Sequence, residues 1–273
     1  MEDDNQLYNL SRRKVLGGLG AVGLASAGAG LGTSAYFTDT ESLNNNTLTA
    51  GELDLVVDWV TGVDQGSATP AQPTASGTID GNPSNYSYEV SDVKPGDSGV
   101  LAFCPKIVDN PAWLWFGSDG VTDYENEQSE PEAEVDATAG AEEGELSESI
   151  IVSVAYADSV AIEDGEVVCT NEAVLNYPAD FTLADLAAEL ESGFLLDADR
   201  STQEVDAYPA SPDAETQTGP CICVHWELPT TVGNEVQTDS LTMDFDLVAV
   251  QERHNPNGNA SGANPFNTTT TSN

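Results

Sequence analysis

The chain has 273 residues and a formal net charge of −40 at pH 7, because 47 acidic residues outweigh 7 lysines and arginines. This balance excludes binding to nucleic acid and to anionic lipid, since both depend on Lys and Arg that neutralise phosphate groups. Hydrophobic residues still make up 39% of the chain, so a sizeable core is expected rather than disorder. The acidity is typical of adaptation to concentrated salt, which screens self-repulsion. A dedicated cation-binding role is the alternative.

Residues 1–35 have the order of an export signal peptide. Arg12 and Arg13 form a twin-arginine pair, an uncharged apolar run covers residues 15–31, and small residues lead to a predicted cleavage site after Ala35. The run has 17 residues, fewer than the ~20 that a spanning helix needs. We expect export machinery and a signal peptidase to release an extracellular chain without stable membrane insertion. A retained amino-terminal membrane anchor is the alternative.

Residues 36–253 are predicted to form one β-sandwich domain, because apolar and polar residues alternate in short runs along them. The predicted strands are 48–59, 87–93, 99–108, 112–116, 150–157, 160–168, 222–228 and 241–250, with a turn between 150–157 and 160–168. Residues 94–97 predict a type II turn with Gly96 at the position of positive φ. Pro105 indicates an edge position or a bulge, and residues 61–85 are predicted to form a long surface loop.

One helix is predicted at about residues 182–192, with a capping-box-like start at Thr182 and a stop at Gly193. Residues 123–148 contain eleven acidic residues and no basic one, which predicts a solvated, poorly ordered loop. Residues 254–273 are predicted to be a disordered polar tail. The fold class is therefore all-β, an antiparallel two-sheet sandwich of jelly-roll kind with one short helix.

The four cysteines, Cys104, Cys169, Cys221 and Cys223, are expected to form up to two disulfides in an exported protein. Cys221 and Cys223 point to the same face of one predicted strand, so they are poor partners for each other. We expect Cys169 to pair with Cys221. A zinc site is not expected, because no Cys-x-x-Cys pair is present and His225 and His254 lie far apart in the sequence. No metal and no cofactor are predicted.

Two segments near the predicted cleavage site, AYFTDTE at 35–41 and NTLTAGELDL at 46–55, resemble the start of mature chains in the TasA and camelysin family of exported proteins. Residues 93–99, 111–116, 183–196 and 226–254 are also similar to that family. The chain resembles a member of haloarchaeal type. The resemblance implies a jelly-roll subunit of biofilm-matrix fibres or bundling pili. Other family members are described as cell-surface metallopeptidases. The twin-arginine pair differs from the usual export route of the bacterial members.

Cleavage after Ala35 would free an aromatic segment, with Tyr36, Phe37 and Thr38 as the predicted polymerisation strand. Such a segment can add to the open edge of a neighbour's sheet. A head-to-tail contact of this kind does not close, so other copies of the chain would be the partners in a filament. One alternative is a monomeric surface module whose residues 36–39 pair within their own sheet. The other is a metallopeptidase, although the chain has no His-Glu-x-x-His motif.

The predicted loops and tail contain four sequons, which are candidate glycan acceptors: Asn45, Asn85, Asn259 and Asn267. Calcium bridging of residues 123–148 is a further possibility, since carboxylate oxygens suit that ion. The segment lacks the glycine-punctuated twelve-residue loop of the familiar calcium-binding motif. The sequence therefore predicts no metal site in this segment.

Overall fold

The computed structural model describes residues 38–41, 53–66, 74–81, 90, 92–126, 130–136, 144–255 and 264–267. All of these residues belong to one compact unit, Tyr36–Asn273. The predicted signal-peptide residues Arg12, Arg13 and Ala35 lie outside the described residues, and so do Tyr36 and Phe37.

Antiparallel strands make up most of the described unit. In chain order they are β1 (Thr38–Glu41), β2 (Asp54–Asp64), β3 (Ala75–Asp80), β4 (Ser98–Val108), β5 (Ala112–Gly117), β6 (Val121–Tyr124), β7 (Ile151–Ala157), β8 (Ser159–Glu163), β9 (Glu166–Thr170), β10 (Ala173–Val174), β11 (Phe194–Leu195), β12 (Cys221–Glu227), β13 (Ser240–Met243) and β14 (Asp246–Gln251). Two short α-helices are described, α1 (Leu146–Ser149) and α2 (Leu183–Leu190), with 3-10 turns at Asn234–Val236 and Glu252–His254.

Two larger sheets form the sandwich. The four-stranded sheet has the order β1-β14-β5-β11, and the six-stranded sheet has the order β10-β7-β12-β4-β2-β3. Strands β13 and β6 form a small separate sheet, and β8 and β9 form a hairpin. The prediction of an all-β antiparallel two-sheet sandwich with a short helix is confirmed.

The main core lies between the two large sheets. Leu55 and Phe103 of the six-stranded sheet join Leu114, Phe116 and Leu247 of the four-stranded sheet in one buried cluster. Because side chains alternate between the faces of a strand, β12 contributes to two clusters. Its Ile222, Val224 and Trp226 enter this core, while Cys221 and Cys223 pack on the opposite face.

Helix α2 begins where the sequence predicts. Thr182 Oγ1 accepts a hydrogen bond from the Asp185 backbone N–H at 3.1 Å, and the Asp185 carboxylate accepts one from the Thr182 N–H at 3.1 Å. This reciprocal pair satisfies two amide groups that the first helical turn leaves free. Leu186 and Leu190 then enter the main core, which holds the helix against the sandwich.

Several predicted boundaries are wrong. The predicted surface loop at 61–85 contains the end of β2 and the edge strand β3. The predicted strand 160–168 is the hairpin of β8 and β9. The predicted strand 241–250 is two strands, β13 and β14, that belong to different sheets. In the predicted strand 87–93, the described residues 90, 92 and 93 are not in a strand. The predicted type II turn is present, with Gly96 at φ 102° and the Asp97 N–H bonded to the Lys94 carbonyl at 2.9 Å.

Pro105 lies in a strand that is central overall but has only one neighbouring strand at that point. Pro105 of β4 pairs with Val57 of β2. The ladder between β4 and β12 covers residues 98–103 of β4 and ends before Pro105. The missing proline N–H therefore costs no ladder hydrogen bond on the β12 side. The prediction of an edge-like position holds locally.

Two predicted disordered regions contain ordered, buried residues. Within 123–148, Glu125 is 4% exposed and Glu132 is fully buried, and α1 follows them. In the tail, Phe266 packs beside Trp113 and Trp115 on the outer face of the four-stranded sheet, and the Asn264 side chain donates to the Ser192 carbonyl. The prediction of a solvated loop is wrong for Glu125 and Glu132. The prediction of a disordered tail is wrong for Asn255, which is buried, and for residues 264–267.

Candidate functional site

The described part of the predicted polymerisation strand is an edge strand. Thr38 begins β1, which pairs antiparallel with β14 of the same chain, with Thr38 opposite Val250 and Glu41 opposite Leu247. This is the pairing that the monomeric alternative expects.

The strand that receives β1 has a buried apolar centre. Leu247, Val248, Ala249 and Val250 of β14 are each at most 5% exposed. On its other side, β14 pairs with β5 over residues 246–251. Strand β1 therefore covers the free hydrogen-bonding edge of a strand that is buried on both faces.

All four cysteines form disulfides, but the predicted pairing is wrong. Cys104 pairs with Cys221, and Cys169 pairs with Cys223. Cys104 and Cys221 lie on the adjacent strands β4 and β12, so the bond joins neighbours within one sheet. The second bond ties hairpin β8–β9 to the outer face of the same sheet. Cys221 and Cys223 do not pair with each other, as expected.

His225 is placed beside an acid. Its Nε2 lies 2.5 Å from Glu172 Oε1, at an open groove that Trp226 and Glu227 also line. Cys169 and Cys223 lie close enough to this pair to share an ion with it. Their sulfurs are bonded to each other, so they cannot act as thiolate ligands.

A cluster of five carboxylates is the most unusual polar arrangement in the described residues. Its members, which we call the acidic cluster, are Glu125, Glu132, Asp136, Glu145 and Asp239. The ligand atoms of Glu125, Asp136 and Glu145 lie within 4.8 Å of one another, and so do those of Glu125, Glu132 and Asp239. Glu125 is common to both groups.

The cluster is built from four separate places in the chain. Glu125 directly follows β6, and Glu132 and Asp136 lie in one turn, in which the Asp136 N–H donates to the Glu132 carbonyl at 2.8 Å. Glu145 precedes α1, and its N–H donates to Asp239 Oδ2 at 2.8 Å. Asp239 directly precedes β13, which pairs with β6. This pairing brings the two strand ends together.

Burial and mutual repulsion act on these acids in the same direction. Burial first, then the charges of Asp239, Glu132, Asp136 and Glu145, raise the pKa of Glu125 to about 7. Burial is also the largest cause that raises the pKa of Asp239 to about 6, although the hydrogen bond from the Glu145 N–H opposes it. Ionising this cluster without a counter-charge is therefore costly.

Glu125 and Asp239 of the cluster have buried oxygens that find no hydrogen-bond partner among the described residues. These atoms are both carboxylate oxygens of Glu125 and Oδ1 of Asp239. Buried polar atoms are nearly always paired in native proteins, so each exception needs an explanation. The sequence predicts these acids as solvated, and no local pattern shows that Asp239 lies against residues so far back in the chain.

The predicted glycan acceptors lie mostly outside the described residues, as Asn45, Asn85 and Asn259 do. Asn267 is described and exposed, and its N–H bonds to the Asn264 carbonyl at 3.4 Å. Its side chain is accessible at the surface.

Comparison with protein-family models, with curated proteins and with solved structures found no match. Within the described ranges, no helix has both the length and the apolar character required to traverse a bilayer. The similarity to the TasA and camelysin family stays a prediction from the residues quoted above.

Proposed function

We propose that this chain is an exported structural protein of the TasA and camelysin type, and that its sandwiches assemble into extracellular filaments by exchange of β1. Each copy would donate β1 to β14 of the next copy. The chain's partners would be other copies of itself, together with the export and signal-peptidase machinery. No enzymatic activity is part of this proposal.

The observation that supports the proposal most is the position of β1. It begins at Thr38, three residues after the predicted cleavage site at Ala35, and it pairs at the edge of the buried strand β14. A strand at a chain end can leave its sheet without threading through the fold. The edge that it leaves has unpaired N–H and C=O groups that would accept an identical strand.

Exchange would conserve the contacts that β1 makes within one chain. The same four residue pairs, from Thr38 with Val250 to Glu41 with Leu247, would form between copies. The equilibrium between pairing within one chain and exchange between copies would then depend on protein concentration and on the connection between β1 and β2. This connection, residues 42–53, can span at most about 40 Å. Because donor and acceptor are different surfaces, the contact repeats head to tail and extends a filament.

Deleting residues 36–40 from the secreted chain tests the proposal. This deletion removes the predicted aromatic segment and most of β1, so negative-stain microscopy is expected to show no fibres. A deletion of residues 268–272, equal in length, is the control and is expected to leave fibres intact. Undiminished fibres after the first deletion would reject strand exchange as the linkage.

The second candidate function is a monomeric surface module. The observation that favours it is the pairing of β1 with β14 of its own chain. It predicts that the full secreted chain stays monomeric at high salt and high concentration, as sedimentation or light scattering would measure. Fibres under those conditions would exclude it.

A further inference from the structure

We propose that the acidic cluster is a Ca²⁺ site, with Glu125 as the central ligand and Asp239 as the ligand that joins the site to the sandwich. The site would hold the turn that contains Glu132 and Asp136 against the domain. This inference is independent of the proposed filament, because a monomeric module would bind the ion equally well.

The first argument is geometric. Calcium binds six to eight oxygens at about 2.3–2.6 Å, so two ligands of one ion can lie up to about 4.8 Å apart. The two groups of carboxylates that share Glu125 meet this limit. Mg²⁺ needs oxygens at about 2.0–2.1 Å in a regular octahedron, which suits this wide arrangement less well.

The second argument is the state of Glu125 itself. Glu125 is 4% exposed, and within the part of the chain that the structure describes neither of its carboxylate oxygens has a hydrogen-bond partner. Four other carboxylates act on it electrostatically. A buried acid in this position is costly unless a cation neutralises it, and its oxygens point toward the other carboxylate oxygens of the cluster.

The third argument concerns the chain's own cations. Lys94 forms an ion pair with Asp92, Lys106 pairs with Asp58 at 2.6 Å, and the Arg200 guanidinium lies over the Tyr156 ring. These three of the four basic residues beyond the predicted signal peptide are therefore engaged away from the cluster. A bound metal ion is a counter-charge that fits a set of oxygen ligands.

Calcium titration of the whole secreted protein tests the site. The protein is stripped with a chelator and titrated calorimetrically in about 1 M NaCl, which screens non-specific attraction of cations to the acidic surface. We expect saturable binding in the wild type. Glu125→Gln and Asp239→Asn should each weaken the affinity at least tenfold, because each removes one charged ligand while keeping the side-chain shape.

Glu134→Gln is the matched control. Glu134 is an exposed acid in the same turn as Glu132, so this variant has the same change of charge without loss of a ligand and should bind Ca²⁺ like the wild type. Equal affinity in Glu125→Gln and Glu134→Gln would overturn the proposal, and so would a wild-type titration that does not saturate.

Thermal unfolding separates loss of the site from loss of the fold. Without Ca²⁺, Glu125→Gln should melt at or above the wild-type temperature, because it removes a buried uncompensated acid. Added Ca²⁺ should raise the midpoint of the wild type and of Glu134→Gln, and leave that of Glu125→Gln unchanged. An equal Ca²⁺-induced shift in all three proteins would contradict the assignment.

A measurement on the unmodified protein keeps the test independent of the variants. Tyr124 directly precedes Glu125, so it can transfer excitation energy to Tb³⁺ bound at the site. Tyrosine-excited Tb³⁺ emission should fall when Ca²⁺ is added and fall less with Mg²⁺ at the same concentration. Emission that Ca²⁺ does not displace would count against the site.

Discussion

At the residue scale, Asp246 is the acid outside the acidic cluster whose ionisation most opposes folding among those that the structure describes. It begins β14 opposite Gly117. Burial first, and then the charges of Asp119 and Asp244, raise its pKa to about 6. An acid whose pKa is higher in the folded than in the unfolded state contributes most below its unfolded value, and this contribution is lost as the pH rises through about 6.

We therefore expect Asp246→Asn to raise the free energy of unfolding at pH 8 by about 1 kcal/mol and to change it little at pH 4. Urea unfolding at the two pH values measures the difference. Asp180→Asn, at an exposed position, is the control for a general loss of negative charge. A gain at pH 8 that is the same for both variants would show that the local environment of Asp246 is not the cause.

At the scale of elements, hairpin β8–β9 lies on the outer face of the six-stranded sheet and exposes much of its surface. Most of its residues are exposed, while Val160, Val167 and Cys169 pack against the cluster that contains Cys221 and Cys223. The Cys169–Cys223 bond closes a separation of 54 residues. It is therefore the covalent attachment of a hairpin with little apolar contact.

Replacing Cys169 and Cys223 with alanine is expected to lower the free energy of unfolding by about 2–4 kcal/mol. Hydrogen exchange should accelerate in β8 and β9, while β7 and β12 stay protected relative to global unfolding. The double alanine variant of Cys104 and Cys221 is the comparison, since its bond joins two central strands. Selective acceleration of β8–β9 in that variant as well would contradict the proposed role of the Cys169–Cys223 bond.

The sequence predicts an element well when the apolar pattern of that one short segment indicates which of its side chains are buried. Strands β4, β5, β7 and β12 are apolar runs, and α2 has both its cap and its buried leucines in one short segment. Strand β3 is missed because its residues are largely exposed. The sequence predicts β13 and β14 as one strand because Phe245 continues the alternation of apolar and polar residues. In the structure, Phe245 packs against Phe103 and Phe116 at the point where the chain passes from one sheet to the other.

The features that the sequence does not predict depend on strand order. The cysteine pairing follows from β4 lying beside β12 and from the hairpin folding over that sheet. The acidic cluster follows from β6 pairing with β13, which brings Asp239 beside Glu125. A hydrogen bond from the Glu145 N–H to Asp239 then links residues 94 positions apart. A local count of acidic residues indicates solvation, and it cannot reveal that Glu125 is buried among carboxylates.

For the molecule as a whole, the net charge of −40 is the property that makes stability depend on salt. Repulsion among these charges favours expanded states, and salt reduces it because the screening length falls from about 10 Å at 0.1 M to about 3 Å at 1 M. We expect the free energy of unfolding to rise by more than about 1 kcal/mol between these NaCl concentrations. Urea titrations measure it.

Sucrose at the osmolality of the high-salt buffer is the control, because it is excluded from protein surfaces without screening charge. An equal gain in sucrose would mean that solvent exclusion, and not charge screening, stabilises the protein. Stability that falls with NaCl would contradict the interpretation of the acidic surface.

A crosslink between β1 and β14 shows whether β1 is exchanged between copies or pairs within its own chain. Thr40 lies opposite Val248, and directly opposed residues have Cβ atoms about 4.5–5.5 Å apart, close enough for a disulfide with small adjustments. The four native cysteines are already paired. The double variant Thr40→Cys with Val248→Cys therefore reports which chain supplies the strand.

The measurement is non-reducing gel electrophoresis of this variant after secretion and oxidation, with Thr40→Cys alone as the control. Strand exchange predicts a ladder of covalent oligomers that a reductant collapses to one band. A single monomeric band with an internal crosslink would rule out exchange of β1 and identify the protein as a self-contained module.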